Sequence, residues 1–105
     1  MHTMNSEQQT QCRYFVSYSG VKLPLNLVNE ITEVDLNNRN TYYRGYFDVT
    51  NRMLLCQKIV YGEVESEHRY QYHNNGILKY AQITEDDELR EIYFNELGQM
   101  VTGTL

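Results

Sequence analysis

The residues of this chain whose types and spacing could do chemistry are His68 and His73, Cys56, and the carboxylates of Glu63-Val64-Glu65-Ser66-Glu67. A metal site or a general acid–base pair would draw on them. His68 and His73 are an odd number of residues apart, so on an extended chain they project to opposite faces, and none of the usual zinc-ligand spacings occurs. Glu65 and Glu67 alternate with Ser66 and His68, which points them to solvent, whereas a general acid needs burial to raise its pKa. Ser17 and Ser19 lack the Gly-x-Ser-x-Gly elbow of a nucleophile, and the glycines form no phosphate-cradling loop. The expectation is a protein with no catalytic residue, no metal and no cofactor.

These side chains must be positioned by strands. Cys12 to Tyr18 is β-forming, and Ser19-Gly20 is a turn signal that predicts a hairpin with Val21-Lys22-Leu23. Pro24 belongs at a strand end, an edge or a bulge, with Leu25, Leu27 and Val28 returning to the core. Thr32-Glu33-Val34-Asp35 has the composition of a helix N-cap, predicting one or two turns over residues 32–38 with Ile31, Val34 and Leu36 on one face. From residue 41 the pattern is β throughout, with strands expected near 41–48, 53–61, 64–73, 77–83, 88–94 and 99–103. Their short connections demand antiparallel neighbours. The predicted fold is all-β with one short helix, a single curled antiparallel meander of about 6–8 strands.

Alternation sets Val64, Ser66, His68, Tyr70 and Tyr72 toward the core and Glu65, Glu67, Arg69 and Gln71 away from it. Leu54, Cys56 and Val60 oppose Leu55, Ile59 and Tyr61, the mark of a strand covered on both faces, by the short helix or by the N-terminal hairpin folding back.

Three segments share one pattern of an aromatic, a polar residue, a tight turn and an apolar residue: Tyr46-Phe47-Asp48 with Asn51-Arg52-Met53-Leu54, Tyr72-His73-Asn74-Asn75-Gly76-Ile77-Leu78, and Phe94-Asn95-Glu96-Leu97-Gly98-Gln99-Met100. Over residues 41–103 this resembles the repeat unit of bacterial tyrosine-aspartate (RHS-type) and MORN-type antitoxin or immunity proteins. The resemblance implies stacked hairpins and an inhibitory or accessory role. The repeat aspartate is matched only at Asp48, with His73 and Asn95 in its place, and the first copy has Arg52 where glycine is expected.

Composition narrows the partners. The 105 residues make one domain, expected over residues 12–105 after a polar, disordered leader over residues 1–11. Residues 1–11 hold no apolar run, so neither a signal peptide nor a membrane span is expected, and two cysteines without CxxC spacing suit a reducing cytoplasm. Net charge is −5 with scattered Lys and Arg, which leaves nothing to neutralise phosphates and argues against nucleic acid. Ten tyrosines against three phenylalanines and no tryptophan supply amphipathic surface suited to recognition.

The function expected is therefore protein–protein interaction by a small acidic bacterial protein, through Tyr70, Tyr72, Tyr80 and His68 and the edge formed by Glu63, Glu65 and Glu67. Self-association is a second mode, because a meander has two free edges and Arg44, Lys58 and Lys79 are few charges to guard them. The alternative is a small ligand held in a pocket lined by Tyr70, Tyr72 and Tyr80.

Overall fold

The computed structural model describes residues 10–101; the expected leader lies outside them except for residues 10 and 11, and strand character beyond residue 101 lies outside them too. Eight strands, β1 (Gln11–Ser19), β2 (Asn26–Ile31), β3 (Thr41–Phe47), β4 (Met53–Val60), β5 (Glu63–Tyr72), β6 (Leu78–Glu85), β7 (Glu88–Phe94) and β8 (Met100–Val101), form one open antiparallel sheet. The spatial order is β2-β1-β3-β4-β5-β6-β7-β8. From β3 onward this is the expected meander. The N-terminal part departs from it, because β1 pairs with both β2 and β3 and the chain must pass β1 on its way from β2 to β3.

Two turn types alternate along the meander. At one end, Tyr61 and Gly62 (φ 50° and 82°) and Asp86 and Asp87 (φ 54° and 63°) make two-residue hairpins with both central residues left-handed, the turn whose twist matches that of the strands. At the other end the thrice-repeated segment makes the same five-residue turn each time. Asp48, His73 and Asn95 each donate their N–H to the carbonyl four residues on and accept the N–H of the residue three on. That third residue is left-handed in every copy: Asn51 (φ 67°), Gly76 (φ 89°) and Gly98 (φ 85°). Asn51 therefore occupies the glycine position in the first copy, because asparagine tolerates this conformation better than other side-chain-bearing residues, and Arg52 is the closing residue. The first turn is no longer than the others.

Asp48 and Asn95 also use their side chains alike. Asp48 Oδ1 accepts from the N–H groups of Thr50 (2.8 Å) and Arg52 (3.0 Å), and Asn95 Oδ1 from those of Leu97 (2.9 Å) and Gln99 (3.0 Å). Burial opposes ionisation of Asp48, but these bonds and that from the Thr50 hydroxyl outweigh it and hold the carboxyl below its usual range. His73 departs: its Nε2–H donates to Phe94 O at 2.8 Å, tying the second turn to the third.

The predicted hairpin partner of β1 is displaced. Residues 20–25 form no strand; they fold back as a strap across one face of the sheet, and pairing resumes only at Asn26. Leu23, Leu25 and Leu27 pack there on Met53, Cys56, Tyr70, Leu78 and Ala81, with Tyr43, Phe47, Tyr72, Ile92 and Phe94 around them. The strap thus supplies the cover on this face anticipated for β4, and each core side chain it helps bury contributes about 1.5–3 kcal/mol.

The predicted helix is a 3₁₀ segment, Glu33–Asn38, opened by a capping interaction in which the Thr32 N–H and hydroxyl both donate to Asp35 Oδ2 at 3.1 Å. Val34 is 74 % exposed rather than packed, since three residues per turn do not sustain the face that an α-helix would have presented. Arg44, Lys58 and Lys79 lie on the internal strands β3, β4 and β6 and guard no edge. The edges are blunted otherwise, one by the left-handed Asn29 (φ 63°) within β2 and one by the two-residue length of β8.

Candidate functional site

Register divides the site residues between the two faces. One row runs Arg13, Gly45, Cys56, His68, Ile83, Arg90 across six strands, on the strap-covered face. Tyr70 pairs with Ala81, and Ile92 follows in the same row. His68, Tyr70 and Tyr72 therefore share the face expected of them. Val64 does not: a bulge between Lys58 and Ile59 pairs it with Ile59, and it is 47 % exposed.

Tyr80 stands apart from Tyr70 and Tyr72. It pairs with Gln71 and Tyr93 on the opposite face, where its hydroxyl donates to Glu91 Oε2 at 2.7 Å, so no pocket is lined by all three tyrosines. That second face carries a hydrogen-bonded row. Arg44 donates to Gln57 Oε1 (2.8 and 2.9 Å), Gln57 to Glu67 Oε1 (2.8 Å), and Arg69 to Glu67 Oε2 (2.8 Å). Glu67 is thus part of an ordered surface, while Glu63 and Glu65 lie toward the Tyr61-Gly62 end and Glu65 pairs with Lys58 at 3.0 Å.

At that end the sheet brings together what is separate in sequence. The β4–β5 and β6–β7 turns lie at the same end, where Glu65 shares one shallow depression with Val64, Glu67, Thr84, Glu85, Asp86 and Asp87, while Glu63 opens β5 and Glu88 pairs with Glu85. Tyr61 sits at the tip, 76 % exposed, in a left-handed conformation that aromatic residues rarely adopt. Sequence reading grouped Tyr61 with the apolar residues of β4; only its backbone angle marks it as unusual.

The Tyr70 hydroxyl ties the strap to the sheet. It accepts the Leu25 N–H at 3.1 Å and lies 2.7 Å from His68 Nδ1. Nδ1 is the one acceptor within reach of the hydroxyl proton among the described residues, so the Tyr70 O–H donates to it and His68 is assigned the Nε2–H tautomer. Burial pushes the Tyr70 hydroxyl pKa up, keeping it a donor. Burial likewise lowers the His68 pKa, with Glu85 opposing and Arg90 adding to the shift.

A groove of about 450 Å³ opens beside this pair, lined on the strap side by Val21, Leu23 and Leu25, and on the sheet side by Tyr43, Lys58, Ser66, His68, Ile83, Glu85, Arg90 and Ile92. Its tyrosines are Tyr18 and Tyr43, not Tyr70 or Tyr72. Among the described residues no group of three or more His, Cys, Asp or Glu is arranged to hold a metal. Cys56 is buried, with its thiol pushed up to about 12 by burial, and Cys12 is a half-buried free thiol.

The lowered His68 pKa gives a pH dependence whose sign is fixed. The unfolded chain binds a proton near the ordinary value of 6.5 while the folded one resists, so stability is full above that value and falls as pH drops from about 7 toward 5. Urea denaturation of wild type and His68→Gln, which can still accept from Tyr70, is expected to show a smaller loss over that window in the variant. Parallel profiles would remove His68 from this role.

No helix among the described residues is long and apolar enough to cross a membrane. No curated protein and no solved structure matches the chain. A family model does match, over residues 7–103, and the chain accordingly belongs to the family of unknown function DUF6156.

Proposed function

We propose that this protein works in the bacterial cytoplasm by docking on another protein, as an accessory, regulatory or inhibitory factor of the immunity or antitoxin kind. The partner surface is basic, and it meets the acidic end of the sheet around Glu63, Glu65 and Glu85 to Glu88, with the second face behind it. Tyr61 carries this reading. An exposed aromatic in a left-handed turn position serves the fold worse than Asn or Gly would, and strain of that kind collects at recognition sites. Tyrosine is also among the residue types enriched at interaction hot spots, and this one lies two residues from Glu63 at the acidic end.

Tyr61→Asn separates the two roles. Stability is expected to hold or to rise by up to about 1 kcal/mol, since Asn suits the conformation. Affinity for a stoichiometric partner isolated from the native host is expected to fall about 30-fold, the loss typical of a hot spot. Binding of that partner should weaken with salt and be abolished by Glu63→Lys with Glu88→Lys. A partner that binds these variants as it binds wild type would overturn the proposal.

Small-ligand binding is the second reading, favoured by the groove roofed by the strap beside His68.

A further inference from the structure

The groove between the strap and the sheet has a chemical bias that identifies its ligand class. His68 Nε2 has no hydrogen-bond partner among the described residues, yet no buried side-chain nitrogen or oxygen there lacks one. Nε2–H is therefore open to solvent, and the groove is the space that His68 lines. Arg90 lines the same groove and makes no ion pair or side-chain hydrogen bond among the described residues, in contrast to Arg13, Arg52 and Arg69, which are paired. The hydroxyls of Ser66 and Tyr18 add to these donors, while Lys58 in the same lining is already paired with Glu65 at 3.0 Å.

The rest of the lining is apolar. Ile83, Ile92, Leu23 and Leu25 form floor and wall, and Val21, 97 % exposed at the lip, is left with nothing to pack on. Glu85 is the one carboxylate in the lining. It opposes each negative charge brought into the groove and so favours a ligand with one over a ligand with two. A volume of about 450 Å³ lies within the range of small-molecule sites.

We infer that this groove binds a small apolar monocarboxylate, its headgroup held by the Arg90 guanidinium and His68 Nε2–H and its hydrocarbon body laid on Ile83, Ile92 and the strap. The assignment rests on reading the groove as a ligand site and is independent of the acidic end. Arg90 supplies the charge and the planar fork that carboxylates prefer. Tyr70, by fixing the tautomer of His68, positions the second donor without touching the ligand.

Titration of the protein with octanoate, followed by amide NMR, tests it against 1-octanol, octylamine and the dicarboxylate suberate. Octanoate is expected to shift the resonances of Val21, Leu25, His68, Ile83 and Ile92, and to bind at least about tenfold more weakly to Arg90→Gln, the loss of one charge-assisted hydrogen bond. His68→Gln should weaken it as well. Suberate and octylamine should leave these resonances in place. If none of the four compounds moves the groove resonances, the ligand-site reading itself fails. If octylamine, octanol or suberate binds as well as octanoate, or Arg90→Gln binds octanoate unchanged, the site stands and the monocarboxylate assignment is wrong.

Discussion

Tyr70→Ala is expected to destabilise the protein by about 3–5 kcal/mol, the range for truncating a large buried aromatic. Tyr70 is 3 % exposed and stands at the centre of the core cluster, so its ring is the larger part of the loss. Its hydroxyl is the remainder, and Tyr70→Phe isolates it. That variant keeps the ring but strands the Leu25 N–H and His68 Nδ1, at a cost of about 1–3 kcal/mol. For a domain near this size each kcal/mol lowers the melting temperature by about 4–8 °C. Because the strap is held to the sheet at Leu25, amide exchange in Tyr70→Phe should accelerate over residues 20–25 more than in β4 or β5. A Tyr70→Phe protein as stable as wild type, with unchanged strap exchange, would show that the strap is held by its leucines alone.

The strands after residue 41 were legible because alternation and turn chemistry pointed the same way. The repeated segment located one series of turns; the other, at Tyr61-Gly62 and Asp86-Asp87, is disclosed only by the backbone angles. What the repeat did not disclose was its own frame: Arg52 was matched to glycine because the pattern counts residue types, whereas the turn requires a left-handed residue, which Asn51 also provides. The N-terminal third was misread for a different reason. Ser19-Gly20 is a sound turn signal, but the chain after it is bound by tertiary contact. Leu23 and Leu25 gain more by capping an apolar sheet face than Val21-Lys22-Leu23 would gain as a strand on an edge. The break in the meander follows from this, since β2 forms only after the strap has crossed.

The candidate site was legible residue by residue and not as an arrangement. Period-two alternation put His68, Tyr70 and Tyr72 on one face correctly, and failed for Val64 because one bulged residue inverts everything beyond it. Tyr80 was assigned to the pocket by residue type alone, and its register with Gln71 places it on the other face. Arg90 had no sequence signal at all. It gains significance only as the end of the cross-strand row through Gly45, Cys56, His68 and Ile83, a relation between residues of five different strands.

That row also contains a glycine with no room for a side chain. A Cβ on Gly45 would lie 2.9 Å from Phe47 Cε1, 3.0 Å from Leu27 Cδ1 and 3.2 Å from Met53 Sδ, all closer than ordinary contact. These neighbours belong to three different strands, so they cannot retreat together. Met53 has the torsional freedom to give way, but Leu27 follows directly on the strap and Phe47 is held under the Arg13 guanidinium at 4.8 Å. Gly45→Ala is therefore expected to cost about 1–2 kcal/mol and Gly45→Val about 3 kcal/mol, the upper part of the range for overpacked cores. The mechanism is distinguishable from a loss of β-propensity, which would predict the opposite sign, because valine is the better strand former. Leu27→Ala provides the check. Alone it should destabilise by leaving a cavity, but in the Gly45→Val background it should cost less or restore stability, since the space it vacates is the space valine needs. Equilibrium unfolding of the two single variants and the double closes the cycle, and strictly additive effects would mean that Gly45 is small for some reason other than the approach of the segment that follows the strap.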